Sequence, residues 1–174
     1  MNLEKLLEAQ RFLDGLIIED KKLHGQYLFD YKLLALQVEL GECANEWRRF
    51  KFWSNRREMN TKYWNSPEQR YENPLLEEFV DCLHFFLSIA LEMEIKEHVY
   101  SNIKANTWGD TTKQFSRTFL WLSKLSANPM PTTWKRAFGH FIGLGELLGF
   151  TPEQIEQAYF EKNAINLKRQ AEGY

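Results

Sequence analysis

Two pairs of carboxylates stand out from the chain: Glu39-x-x-Glu42 and Glu78-x-x-Asp81. A spacing of three puts both members of a pair on one face of a helix. Their company is what makes them unusual. Leu33, Leu34, Leu36, Val38 and Leu40 surround Glu39, and between Leu75 and Leu91 only Glu77, Glu78, Asp81, His84 and Ser88 interrupt an apolar run. At about 100° per residue those five side chains form a single stripe. Carboxylates on such helices are too costly to leave unpaired, so they take cations, donors or metals. If the two helices pack antiparallel, four carboxylates converge, and like charges raise one another's pKa unless a cation enters. An oxygen-only set favours Mg²⁺, with Mn²⁺ as a substitute, over zinc. Mg²⁺ held by a few carboxylates completes its shell with water and substrate phosphates. Compensation of a helix dipole accounts for Glu77 and Glu78 in a first turn but not for Asp81, further along.

Other polar groups repeat at helical spacing. Tyr159, Lys162, Asn166 and Arg169 share a face, with Asn163 and Gln170 at its flank. Such a row is either solvated or directed at phosphate oxygens. Gln10 lies in the middle of the apolar stripe Leu3, Leu6, Leu7, Leu13 and Ile17, and Asp14 is one turn on. An amide there either edges the core or faces a pocket, where it both donates and accepts. Glu42, Glu46, Arg49 and Trp53 continue the Glu39 face at spacings of three and four. His84 is one turn from Asp81 and reads as a core histidine or a substrate-facing group. Di-iron bundles need two Glu-x-x-His motifs; the residues three before His24, His98 and His140 are Lys21, Ile95 and Ala137, so no second one exists.

The elements that must position these groups are helices. Apolar periodicity predicts segments over about Asn2 to Asp20, Phe29 to Phe52, Pro74 to Met93, Thr112 to Ser126 and Thr132 to Leu148. A last helix opens at Thr151-Pro152-Glu153-Gln154, a cap, a proline and a polar third residue. Asn73-Pro74 starts the third segment in the same way. No alternating β pattern is evident, so the fold class is all-α, a helical bundle in a single domain over residues 1–174. Ser54 to Glu72 is the main irregular stretch and reads as a lid or as mobile surface. Phe115, Phe119, Trp134, Phe138 and Phe141 mark the fourth and fifth segments as structural or as a partner interface.

Charge is nearly balanced, with 22 basic and 24 acidic residues. That argues against a general polyanion binder and so against a nucleic acid polymer as partner. Cys43 and Cys82 fall inside helical patterns and read as small buried thiols in a reducing compartment. The N-terminus lacks a basic-then-apolar signal, and Phe79 to Leu91 is too short to span a membrane. A cytoplasmic protein is expected.

Three stretches carry a resemblance. Leu36-Gln-Val-Glu-Leu-Gly-Glu-Cys-Ala-Asn-Glu-Trp-Arg-Arg-Phe-Lys-Phe-Trp53 resembles the first metal motif of the dimeric all-α dUTPases. Glu77-Glu-Phe-Val-Asp-Cys-Leu-His-Phe-Phe86 resembles their second, and Tyr159 to Tyr174 their C-terminal phosphate motif. Gln10 and its neighbours fit as well. The resemblance implies a fold related to the MazG-like nucleotide pyrophosphatases, a homodimer, and Mg²⁺-dependent hydrolysis of dUTP, with dUDP also cut. It implies that Glu39, Glu42, Glu78 and Asp81 hold two metals, and that Glu39 or Glu42 orients the attacking water. Lys162, Asn166 and Arg169 would bind phosphates; Gln10, Trp53 and His84 would line the base and sugar pocket. Asp14 departs from the Asn often found near that place: an Asp can accept from uracil N3–H but cannot donate to a carbonyl. A MazG-like enzyme of other base specificity and a non-catalytic helical dimer that binds protein are the alternatives.

Overall fold

The 3.6-residue apolar periodicity becomes helix throughout the computed structural model, which describes residues 1–173 apart from 66, 68 and 69. The elements are α1 (Leu3–Asp20), α2 (Phe29–Trp47), β1 (Tyr63–Asn65), β2 (Arg70–Glu72), α3 (Pro74–Glu92), α4 (Glu97–Tyr100), α5 (Thr111–Ala127), α6 (Pro131–Leu148) and α7 (Pro152–Ala171). Part of the Ser54 to Glu72 stretch and Tyr174 of the tail motif lie outside the described residues. Among the described residues, no helix is long and apolar enough to cross a membrane.

Helix α3 is the axis. The Asn73 side chain accepts from Leu76 N–H and Pro74 occupies the first turn, so the start is capped as its sequence predicts. Leu75, Phe79, Val80, Leu83, Phe86, Leu87 and Ile89 are buried almost all round, because α1, α2, α6 and α7 all pack on it. Antiparallel packing of α2 on α3 is set at both ends. Leu28 N–H, just before α2, donates to Glu92 at the end of α3. At the other end Asn60 N–H bonds the Glu46 carbonyl, and Leu75 N–H bonds the Asn60 carbonyl. Helix α1 runs the same way as α3, with Gln10 meeting His84 and Asp14 meeting Ser88. Helix α7 starts on the expected capping box, Thr151 and Gln154 bonding each other's backbone.

The α5–α6 hairpin closes the far side of α3. Phe79 stacks on Phe141 with centroids 4.2 Å apart, and the indole N–H of Trp134 donates to the Phe86 carbonyl. Gly143 of α6 lets the chain at Asn106 and Thr107 pass in contact. A Cβ there would lie 2.6 Å from the Asn106 carbonyl oxygen.

Two expectations need correcting. Helix α2 stops at Trp47, not Phe52, because Arg48 turns left-handed at φ 63°. Trp47 packs into the core beside Phe115, centroids 5.3 Å apart, and the chain must then fold back to deliver Asn60 to Glu46. The stretch read as wholly irregular contains a short antiparallel ribbon, Tyr63 opposite Glu72 and Asn65 opposite Arg70. Three-residue strands are too short for alternation to show in sequence.

Gly143→Ala is expected to destabilise the protein by about 1–3 kcal/mol, because the obstructing atoms are backbone and cannot rotate away. Urea unfolding checks this: the midpoint should fall with an unchanged slope. An unchanged midpoint would mean that the 105–108 segment is free to move off α6.

Candidate active site

The polar stripe of α3 faces the polar faces of α1, α2 and α7 across one cavity of about 790 Å³. Gln10, Asp14, Glu39, Asp81, His84, Lys162, Asn166 and Arg169 all line it. The cavity has two chemically distinct ends.

At one end are the carboxylates. Glu39 of α2 and Glu78 and Asp81 of α3 bring oxygens within 4.8 Å of one another. Glu42 adds its charge to both Glu39 and Glu78 without joining that closest group. Burial, then Asp81, Glu39 and Glu42, push the Glu78 carboxyl up to about 8. Glu39 is raised by burial, Asp81 and Glu42. Lys162 of α7 reaches in, with Nζ 2.7 Å from both Glu77 and Asp81. Burial still raises Asp81 against that opposing pull. Burial works against the charge on Lys162, but Asp81 and Glu77 outweigh it and raise its pKa. Lys162 acts on Glu39 and Glu78 too, and Arg169 on Asp81, but all three carboxyls stay raised. Oxygen-only ligands, close spacing and unrelieved negative charge fit a hard divalent cation.

At the other end is an amide–histidine cluster over an apolar wall that includes Leu13, Ile17 and Phe85. Gln10 Nε2 donates to Asp14 Oδ1 at 2.7 Å. Gln10 Oε1 accepts from Tyr159 OH at 2.8 Å and lies 2.8 Å from His84 Nδ1. Ser88 donates to Asp14 Oδ2, and Lys32, paired with Glu92, lies 3.6 Å from the same oxygen. His84 stacks on Tyr159 at 4.2 Å. Burial first, and Lys162 second, push the imidazole down to about 3, so it stays neutral. Its Nε2 is buried without a hydrogen-bond partner, as are Asn163 Oδ1 and Gln170 Oε1 on α7.

Trp53 is the sequence candidate that the structure leaves outside. It is 66% exposed, packs on Phe50 and Phe52 and does not line the cavity. Its spacing from Glu42 and Glu46 lost its meaning when α2 ended at Trp47. Glu46 is not in the closest carboxylate group and accepts from the Asn60 side chain. The sequence reading missed Lys32, which a spacing of seven places on the Glu39 face. It also did not give Glu77 or Ser88 a role, although both sit on the acidic stripe.

The carboxylate end makes stability depend on pH. The Glu78 carboxyl, raised from 4.5 to about 8, binds its proton more tightly folded than unfolded. Its contribution is therefore full below about pH 4.5 and is lost as pH rises through 8. Without divalent cations, Glu78→Gln should raise Tm at pH 8 and change it little at pH 5. Equal effects at both values, in thermal melts with chelator present, would contradict this electrostatic picture.

A family model described as dUTPase matches residues 2–174. No curated protein matches the chain.

Proposed function

The chain belongs to the dUTPase family, hydrolases acting on dUTP, and we propose that it cleaves dUTP to dUMP and pyrophosphate, and dUDP to dUMP and phosphate, with two Mg²⁺ ions. The observation that carries the site assignment is the convergence of Glu39, Glu78 and Asp81, of which Glu39 and Asp81 line the same cavity as Lys162, Asn166 and Arg169 of α7. A single domain over residues 1–174 contains the whole constellation.

Glu39, Glu42, Glu78 and Asp81 would hold the metal, and Mn²⁺ would substitute. A bound divalent ion supplies Lewis-acid polarisation of a phosphoryl oxygen and makes water more acidic. The protein's own groups do the rest. Glu39 or Glu42 orients a water for in-line attack on the α-phosphorus and takes its proton. The bond from the α-phosphorus to its bridging oxygen breaks, and the electron pair leaves on pyrophosphate. Lys162, Asn166 and Arg169 then face phosphate oxygens and stabilise charge on the leaving group. Lys162 would leave Asp81 as the cation arrives, since one carboxylate oxygen does not serve both well. Gln10, Asp14 and His84 form the base end of the cavity, and Trp53, which does not line it in this structure, would have to move to reach a base.

A homodimer is part of the same reading. Tyr31, Leu34 and Val38 fall on one face of α2, and each is at least half exposed. An apolar stripe of that kind supports an interface. Two free buried thiols, Cys43 and Cys82, fit a reducing cytoplasm.

Product release from dUTP, dUDP, dTTP, dCTP and UTP, with and without Mg²⁺, tests the reaction. Metal-dependent release from dUTP and dUDP is expected, with dTTP and UTP cut poorly. Broad release would move the chain to a MazG-like enzyme of other specificity, and no release to a binding protein. The double substitution Glu39→Gln with Asp81→Asn should abolish turnover while circular dichroism stays unchanged; retained turnover would refute the site. Light scattering should give twice the chain mass, and Leu34→Glu with Val38→Glu should reduce it to one. A monomeric wild type would remove the dimer from the proposal.

A further inference from the structure

We propose that Asp14 is a specificity-determining positioning residue, which sets the direction of hydrogen bonding through Gln10 into His84 and makes His84 Nε2 an acceptor for a bound nucleobase. The inference rests on the reading of this cavity as a nucleotide site and deepens it.

The relay has one polarity. A carboxylate only accepts, so Gln10 must turn its NH₂ group to Asp14, where the distance is 2.7 Å. The carbonyl of Gln10 then faces Tyr159 and His84, each at 2.8 Å. An amide oxygen only accepts, so the proton in the last contact is on His84 Nδ1. A neutral imidazole carries one N–H, which leaves Nε2 bare. Stacking on Tyr159 at 4.2 Å fixes the ring plane. Nε2 is buried and has no partner in the protein, although His84 lines the cavity. Burial first, then Lys162, hold the ring neutral.

A buried acceptor without a donor asks for an N–H from the ligand. A uracil or thymine ring supplies one at N3, where cytosine presents an acceptor. Gln10 is only 3% exposed, and Asp14 takes bonds from Gln10 and Ser88 with Lys32 nearby. Both act on the base through His84 more than by touching it.

Asp14→Asn should invert the relay without changing its shape. Lys32 and Ser88 are donors, so they keep the oxygen of the new amide on their side and leave its NH₂ facing Gln10. Gln10 must then turn over, its own NH₂ meets His84 Nδ1, and the proton moves to Nε2. The structure therefore assigns the choice between an acceptor and a donor at the base to a single atom of residue 14.

Long-range proton–nitrogen NMR of His84 in the substrate-free protein reads the tautomer directly and needs no turnover. The wild type should carry the proton on Nδ1, Asp14→Asn should carry it on Nε2, and Ser88→Ala should match the wild type. A wild type protonated at Nε2, or an unchanged tautomer in Asp14→Asn, overturns the proposal. The wild-type spectrum alone decides if Asp14→Asn folds poorly. With the tautomer inverted, the ratio of kcat/KM for dUTP over dCTP should fall about tenfold, the size of one lost buried hydrogen bond. An unchanged ratio overturns the specificity role. The expected tautomers in a protein that cleaves no dUTP would support the relay and overturn only the assigned reaction.

Discussion

Like charge held in a poorly hydrated contact is the constraint on which the rest of this protein depends. Glu39, Glu78 and Asp81 meet where α2 crosses α3, and α3 is otherwise apolar nearly all round. Each carboxylate loses hydration and gains a repulsive neighbour, and both effects raise its pKa. The fold tolerates this because the helices that carry them are held elsewhere. Leu75, Phe79, Leu83 and Phe86 are fully buried on the α3 faces away from the stripe. Backbone bonds through Asn60 tie the end of α2 to the start of α3, so repulsion cannot part the two helices there. The resulting concentration of charge is a liability for folding and an asset for binding a cation.

The two ends of the cavity handle buried polarity in opposite ways. At the carboxylate end Lys162 pairs with Glu77 and Asp81, yet Glu39, Glu78 and Asp81 all stay above their ordinary pKa values. At the amide end Asp14, Gln10, Ser88 and Tyr159 close a network with Lys32 and Glu92 behind it, and His84 Nε2 is left open at its edge. Satisfied networks are rigid, which is what the proposed base wall needs. Unsatisfied charge is adaptable, which is what the proposed metal and phosphate site needs. Helix α7 serves both ends, with Tyr159 in the network and Lys162 among the carboxylates three residues later.

Much of the candidate site was legible because helical geometry is local. Glu39 with Glu42, Glu78 with Asp81, and Lys162 with Asn166 and Arg169 were placed on common faces by spacing alone, and the caps at Asn73 and Thr151 formed as their residue types require. Trp53 shows the limit. Its spacing was sound only while α2 continued, and the left-handed turn at Arg48 ended the helix to fit Trp47 beside Phe115. That demand comes from α5, more than sixty residues away, and leaves no periodic signal near Trp53. The β1–β2 ribbon escaped for a different reason, since three residues per strand are too few to establish alternation.

The sequence by itself determined which side chains share a helix face, where the helices start, and that the acidic stripe of α3 must meet another polar surface. Backbone geometry over one or two turns is enough for each of these. Tertiary structure alone decided which surfaces meet: that Lys162 pairs with Asp81 and Glu77, that Glu42 stands back from the closest carboxylates, and that Asp14 bonds Gln10 and Ser88 with Lys32 nearby. Such partners depend on the rotation and separation of packed helices, which no spacing along one helix encodes. The proton on His84 belongs to the same class. It is set by a chain of contacts joining α1 to α3, with Tyr159 of α7 bonded to the same Gln10 oxygen, and exists only when all three are in place.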